Sequence, residues 1–214
     1  MVFNLRLILL FYLTFYVGSG FISEHSGVDP ATYLEMYKNL NSSIHKKLNS
    51  GKIEYSVSYI TKEIQIIQAY NRGIITEQEA QKWLNDKVNE IALHFQIEVP
   101  SNGNQEFLKY ESDSSSYEER VKYFSFGFKS DLTLVIDQND TININDYHFE
   151  RNFGISPKGT IIMSAKVPKN CKSLELIFND KIYGKHEQSI EFDLKDINSL
   201  PKLKTIKKWK NHKG

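Results

Sequence analysis

The sequence contains only one cysteine, Cys171, among its 214 residues. An intramolecular disulfide is therefore excluded, and a zinc site would need ligands other than thiolates. If the protein is exported, it does not belong to the class of small domains that disulfides hold together. We expect Cys171 to be a small buried residue with an unreactive thiol.

The sequence also lacks the short motifs of the common enzyme classes. It has no glycine-rich nucleotide loop, serine nucleophile elbow, zinc-protease helix or cysteine–histidine pair. The six histidines are scattered, and no two of them have metal-ligand spacing. An enzyme is not excluded, because a catalytic site can assemble from distant residues. These absences nevertheless favour a protein without catalytic residues and without a cofactor.

The longest apolar run lies near the start of the sequence, and residues 1–20 have the features of a secretory signal peptide. Arg6 gives the positive end, residues 7–17 form the apolar core, and residues 18–20 are small enough for a cleavage site. The run is shorter than the roughly 20 residues of a transmembrane helix. The sequence therefore predicts a periplasmic or secreted protein. An uncleaved membrane anchor is the alternative, because residues 21–22 extend the run.

Charge is unevenly distributed between the body of the chain and its tail, residues 197–214. Residues 201–214 contain six lysines and no acid, and residues 1–200 contain the other 21 basic residues and all 26 acidic ones. Lysines interleaved with Leu, Ile and Trp suit a protein partner or an anionic surface such as phospholipid head groups. Export makes nucleic acid the least expected partner. The expected contact residues are Lys207, Lys208, Trp209 and Lys210, and a solvated terminus is the alternative.

Apolar residues at helical spacing predict a small three-helix module over residues 29–97. Its first helix begins at Asp29, which is followed by a proline at the first helical position, and should end near residue 50. An isoleucine stripe predicts a second helix over residues 53–71. Short connections between helices imply antiparallel packing.

The third predicted helix, residues 76–96, begins with a capping box. In such a box the Thr76 hydroxyl accepts from the Glu79 amide while the Glu79 carboxylate accepts from the Thr76 amide. The helix then carries a wide apolar face. We expect this face to pack inside the module, and a groove for a partner is the alternative.

Alternation of apolar and polar residues dominates the second half of the sequence. Phe124, Phe126 and Phe128 would share one face of an extended segment. A period of two, repeated with turn residues between the runs, is typical of half-buried strands in a sandwich or barrel. About seven strands are predicted, at residues 106–111, 121–128, 131–136, 141–150, 160–167, 173–179 and 188–194. The sequence thus predicts an α+β protein with a β-sandwich domain over residues 105–196.

Part of this region resembles a known class of domain. The run GTIIMSAKVP at residues 159–168, followed by SLELIF at residues 173–178, is similar to the closing strands of exported bacterial immunoglobulin-like sandwiches. The resemblance extends to about residue 194 and implies an antiparallel sandwich in a secreted or envelope protein. The chain lacks the anchoring cysteine of the lipid-attached kind. No functional residue can be transferred from this class.

Two further clusters contain residue types that carry chemistry. Asp137, Asn139 and Asp140 offer oxygen ligands suited to calcium, but Asn and Asp are also the usual residues of hairpin turns, and we expect a turn. His148 and Glu150 would share one face of a strand, either as a surface pair or as part of an unrecognised hydrolase site.

Two sequons, at Asn41 and Asn139, are glycosylation sites only if the host glycosylates its exported proteins. Taken together, these features predict an exported, non-enzymatic binding or assembly protein. It would act through its sandwich and basic tail at the cell envelope or outside the cell. The alternatives are a hydrolase around His148 and an envelope subunit that retains its N-terminal helix.

Overall fold

Two antiparallel sheets and six α-helices form the protein in the computed structural model, which describes residues 27–100, 106–110, 115–151, 156–184 and 186–204. The strands are β1 (His45–Ser50), β2 (Ile53–Ile60), β3 (Glu90–Glu98), β4 (Leu132–Ile136), β5 (Asp140–Ile142), β6 (Ile144–Glu150), β7 (Lys158–Lys166), β8 (Ser173–Phe178) and β9 (Gln188–Asp193). The helices are α1 (Pro30–Asn39), α2 (Asn41–Ile44), α3 (Lys62–Asn71), α4 (Glu77–Asn85), α5 (Tyr117–Lys122) and α6 (Lys195–Asn198).

The larger sheet has the strand order β1-β2-β3-β7-β6, and the smaller has the order β5-β4-β8-β9. Their inner faces pack against each other through aromatic side chains. The ring of Phe178 on β8 lies 4.9 Å from that of Tyr55 on β2 and 5.0 Å from that of Phe95 on β3. All three side chains are fully buried. The core is therefore a filled layer between two sheets.

The predicted three-helix module is not supported, because strands replace large parts of all three helices. On β2, Ile53, Tyr55, Val57 and Tyr59 are buried, and on β3 the residues at 91, 93, 95 and 97 are buried. This period of two places each set on the inner face of the sheet. Because β3 pairs with β7, residues of the expected helical module and of the expected sandwich share one sheet.

The start signals of the first and third predicted helices are correct even though their lengths are not, whereas the second predicted helix begins at Lys62, as α3, and not near residue 53. The Asp29 carboxylate caps α1 by accepting from the amides of Ala31 and Thr32, at 3.0 and 3.1 Å. The Thr76–Glu79 capping box is formed at the start of α4. Each helix then ends earlier than predicted, α1 at Asn39 and α4 at Asn85.

Two of the seven predicted strands are helical instead. Residues 121–128 contain the end of α5 and a π-helix at Tyr123–Gly127, which is followed by a 3₁₀ turn at Phe128–Asp131. Phe124 and Phe128 are fully buried, but Phe126 is 80% exposed, so the three rings do not share a face. The first predicted strand, residues 106–111, contains a 3₁₀ turn at Phe107–Lys109.

The remaining five predicted strands are present as β4, β5 with β6, β7, β8 and β9. Strands β7 and β8, which carry the resemblance to immunoglobulin-like domains, lie in different sheets. An immunoglobulin-like topology is not confirmed, and the supported description is a mixed α/β fold with sheets of five and four strands. Within the described ranges, no helix has the length and apolar character needed to cross a bilayer. The predicted signal peptide lies outside those ranges.

Candidate functional site

The predicted contact residues, Lys207 to Lys210, lie outside the described residues, but the point from which they extend is well defined. Leu203 forms an isolated parallel bridge with Val28. The Val28 amide donates to the Lys202 carbonyl oxygen at 2.9 Å, and the Lys204 amide donates to the Val28 carbonyl oxygen at 2.8 Å. The Leu203 side chain is only 6% exposed. The basic tail therefore continues from a fixed position beside the first described residues.

Gly27 permits this close approach of two chain segments. A Cβ atom at Gly27 would lie 2.8 Å from both the Lys202 carbonyl oxygen and the Lys204 amide nitrogen. Real Cβ atoms do not approach main-chain atoms this closely, so any other residue would displace the bridge. The pairing of Val28 with Leu203 thus depends on a glycine at the preceding position.

A groove of about 550 Å³ lies between α6 and the loop that joins β7 to β8. Its α6 side comes a few residues before Leu203 in the sequence. The Asn198 side-chain amide donates to the Cys171 carbonyl oxygen, and the Leu194 amide donates to the Lys172 carbonyl oxygen, both at 2.8 Å. These bonds join the two walls. The groove is lined by Asn170, Cys171, Lys172, Asp193, Lys195, Asn198 and Ser199.

The acidic and basic groups at the groove differ in whether they have a bonding partner. The Asp193 carboxylate accepts from the Lys195 amide at 2.9 Å. Nearby, Asp137 accepts from the main-chain amides of Lys172 and Ser173, at 2.6 and 3.0 Å, which lowers the pKa of the Asp137 carboxyl group. By contrast, the exposed ammonium groups of Lys172 and Lys195 form no ion pair within the described part of the chain. Two ammonium groups beside side-chain amides can hold an anionic oxygen by charge-assisted hydrogen bonds.

The calcium candidates Asp137, Asn139 and Asp140 lie at the hairpin between β4 and β5. Asp137 and Gln138 have φ angles of 49° and 61°, and the Asn139 amide donates to the Ile136 carbonyl oxygen at 3.1 Å. Positive φ at both central positions is the geometry of a tight hairpin turn. Among the residues with a described placement, no three His, Cys, Asp or Glu side chains are grouped as metal ligands.

His148 and Glu150 lie exposed on the outer face of β6. The strand register aligns His148 with two other histidines, because His148 and His94 both lie opposite Ile162, and His94 and His45 both lie opposite Ser58. Neighbouring histidines in this row are two strands apart, roughly 10 Å. Within the described ranges these histidines are not part of any group of three His, Cys, Asp or Glu side chains placed to hold a metal ion. Burial lowers the pKa of His94 and so favours its neutral form.

Cys171 is 2% exposed, and its Sγ donates to the Ser173 carbonyl oxygen at 2.8 Å. Burial raises the pKa of this thiol to about 11. The thiolate needed for nucleophilic chemistry is therefore scarce at neutral pH. Both sequon residues, Asn41 and Asn139, are exposed.

Comparisons with known proteins do not place the chain in a family. No protein-family model matches the sequence, and no match was found among the curated proteins. The crystal structure of a DUF4426 family protein from Pseudomonas aeruginosa is a distant structural neighbour, with a TM-score of 0.36 and 7% sequence identity. The match covers 70% of this chain and 92% of that chain. A similarity this distant carries no argument about function.

Proposed function

We propose that this protein is an exported, non-enzymatic binding protein that attaches to an anionic surface of the cell envelope. The observation that carries the proposal is the bridge between Val28 and Leu203. It fixes the described part of the basic tail at Leu203, a few residues after α6, the helix that carries Lys195. The described part of the tail, which ends at Lys204, thus lies a few residues from the groove that contains Lys172 and Lys195, and the proposal is that the tail lysines bind the same surface as these two.

Electrostatics explains why this arrangement favours a lipid surface. A lysine near an anionic membrane contributes about 1 kcal/mol, and the attraction fades over a screening length of about 8–10 Å. Charges from the tail add to one another only if they reach the same surface together. Trp209, among the tail lysines, suits the interface between head groups and acyl chains.

Three observations support a role without catalysis. The layer between the sheets is filled with aromatic side chains. The buried Lys62 ammonium group donates to the carbonyl oxygens of Asp86 and Val88, at 2.7 and 3.0 Å, and buried Arg120 donates to the Leu108 carbonyl oxygen at 2.7 Å. These charged groups thus have structural partners. His148, the centre of the hydrolase alternative, lies on an open sheet face.

Export is proposed from the sequence of residues 1–20 and from the resemblance of residues 159–194 to exported sandwich domains. The bridge also bears on the alternative of a retained N-terminal anchor. Because Gly27 lies against Lys204, an anchor that precedes it and the tail that follows Lys204 would meet the same membrane. N-terminal sequencing of the exported protein distinguishes the two forms, since a start near residue 21 rejects the anchored one.

Sedimentation with lipid vesicles tests the attachment. We expect the protein to bind vesicles that contain phosphatidylglycerol, to bind neutral phosphatidylcholine vesicles weakly, and to be released by salt. Replacing Lys207, Lys208 and Lys210 by glutamine should weaken binding to anionic vesicles by at least tenfold, because it removes three charges near the surface.

A matched control removes the same number of charges elsewhere. Lys52, Lys129 and Lys158 are exposed away from the groove, since Lys158 lies at the end of β7 opposite to the β7–β8 loop, and their replacement by glutamine should leave binding within twofold. Equal losses in the two triple variants would show that net charge alone is responsible, and the proposed surface would be wrong. Equal binding to neutral and anionic vesicles would also reject it.

A further inference from the structure

The most exposed large apolar side chain in the described part of the protein is Phe126, at 80%. The next is Ile74, at 68%. Phe126 lies in the π-helix Tyr123–Gly127, far from the lysine-lined groove, because the π-helix is near the end of β8 at Asn179 and the groove is near its start at Ser173. Short π-helical segments occur frequently at functional sites.

The backbone on both sides of Phe126 is held in place, so its ring cannot turn into the core. Phe124 and Phe128 are fully buried on the opposite side of the helix. The Tyr147 hydroxyl donates to the Phe124 carbonyl oxygen, and the Tyr123 hydroxyl donates to the Asp131 carboxylate at 2.9 Å. A rigidly presented aromatic ring loses little conformational entropy on binding, which is typical of interface anchors.

A groove of about 380 Å³ lies directly beside the Phe126 ring, lined by Glu119, Lys122, Tyr123, Phe126 and Gly127. The surface therefore carries both a protruding ring and a concavity. It also carries one acidic and one basic side chain. A contact with twofold symmetry uses the same surface on both copies, so it needs groups of both charge signs, and a protrusion together with a concavity, on one surface. The surface around Phe126 has all of these.

We propose that the protein forms a reciprocal dimer in which Phe126 of each copy packs in the Glu119–Lys122 groove of the other. The twofold axis places Glu119 of one copy against Lys122 of the second copy, and the same pair recurs on the other side of the axis. The patch is small, so the dimer is weak and depends on concentration. It does not rest on the proposed membrane attachment, because it uses the other end of the molecule.

Sedimentation velocity of the full chain, from micromolar to millimolar concentration, tests the dimer. We expect the average mass to rise toward twice that of one chain. Phe126→Ser should raise the dissociation constant at least tenfold. Ile74→Ser removes a similarly exposed apolar side chain elsewhere and should leave the constant within twofold.

Charge variants test the twofold pairing. Lys122→Glu places two acids opposite each other on both sides of the axis and should weaken the dimer at least fivefold. The double variant Glu119→Lys with Lys122→Glu restores opposite charges and should recover most of the loss. Because Glu119 also caps α5, circular dichroism should show that the double variant keeps its helix content.

A chain that stays monomeric over the whole concentration range overturns the proposal. Equal effects of Phe126→Ser and Ile74→Ser would do the same, because the ring would then have no specific place in the contact. If the double charge variant is as weak as Lys122→Glu, the two copies do not pair through a twofold axis at this groove.

Discussion

The Tyr55 hydroxyl donates a hydrogen bond of 3.1 Å to the Asp180 carboxylate, and this bond joins the larger sheet to the chain that leaves the smaller one. Asp180 is 1% exposed and also accepts from the amides of Ile182 and Tyr183, at 2.9 and 3.0 Å. One buried carboxylate thus holds the turn after β8 and ties it to β2. Its environment gives two measurable consequences.

Replacing Tyr55 by phenylalanine should lower the free energy of unfolding by about 1–3 kcal/mol, because a buried carboxylate loses a hydrogen-bond donor. Urea unfolding followed by fluorescence measures this change. Tyr59→Phe is a matched control on the same face of β2, since the Tyr59 hydroxyl makes no hydrogen bond within the described residues. Equal losses in the two variants would mean that the Tyr55–Asp180 bond contributes nothing specific.

The Asp180 carboxyl group should also make the stability of the protein depend on pH. Burial raises its pKa above the ordinary value of 3.8, and the hydrogen bonds from Tyr183, Ile182 and Tyr55 offset part of this effect. The folded protein therefore binds this proton more tightly than the unfolded chain does. The contribution of Asp180 to stability should improve as pH falls through the raised folded pKa, and should level off below the unfolded value.

The measurement compares wild-type protein with Asp180→Asn across acidic and neutral pH. The comparison is needed because Asp29, Glu79 and Asp137 have lowered pKa values and destabilise the fold as pH falls. We expect the unfolding free energy of the wild-type protein to increase relative to that of Asp180→Asn as pH falls. A difference that is constant with pH contradicts the assignment.

Cys171 should react slowly with thiol reagents in the folded protein. Its side chain is buried and its thiol pKa is raised to about 11, so few molecules carry the thiolate at neutral pH. Absorbance after addition of Ellman's reagent should rise at least a hundredfold faster in concentrated urea than in native buffer. Similar rates in the two conditions would show that the β7–β8 loop opens readily.

Ser116→Ala tests the helical structure of a segment whose sequence suggests a strand. The Ser116 hydroxyl accepts from the Glu119 amide at 3.2 Å, and the Glu119 carboxylate accepts from the Ser116 amide at 2.7 Å. Removing this cap should lower the free energy of unfolding by about 1 kcal/mol. Ser189→Ala, at an exposed position of β9, should change it by less than about 0.5 kcal/mol.

The phenylalanines of this segment show why periodicity misleads here. Rings at positions 124 and 128 are two pleats apart in a strand and about one turn apart in a helix, so both structures bury them together. Only Phe126 distinguishes the two, and it is exposed. The capping box at Ser116 and Glu119 is the local signal that favours the helix.

The same ambiguity explains why strands in the first half of the chain are predicted as helices. Ile53, Val57 and Ile60 fit a helical stripe, yet Tyr55 and Tyr59 complete a period of two on β2. The choice is made by pairing, since β2 lies between β1 and β3. Strand pairing joins residues far apart in sequence, so a local pattern does not contain it. Caps and tight turns depend on neighbouring residues, and those predictions at Asp29, Thr76 and Asp137 agree with the structure.

The candidate site likewise has one part that the sequence predicts and another that it does not. The lysines of the tail are visible in the composition alone. The groove beside α6 and the bridge from Leu203 to Val28 depend on contacts between distant segments, and no sequence motif predicts such contacts. The glycine at position 27 is a local feature that fits a close approach of two segments. Its role is recognisable only from the structure, in which the Lys202–Lys204 backbone lies against it.

The pairing of Val28 with Leu203 has a practical consequence for protein engineering. Since these two residues are neighbours in space, a short glycine–serine linker could join residue 204 to residue 27 without stretching either segment. New ends could then be opened at the exposed β1–β2 hairpin, at Gly51. Such a circularly permuted form of residues 27–204 should keep its fold, because the joined residues are already neighbours and an exposed turn tolerates rearranged connectivity.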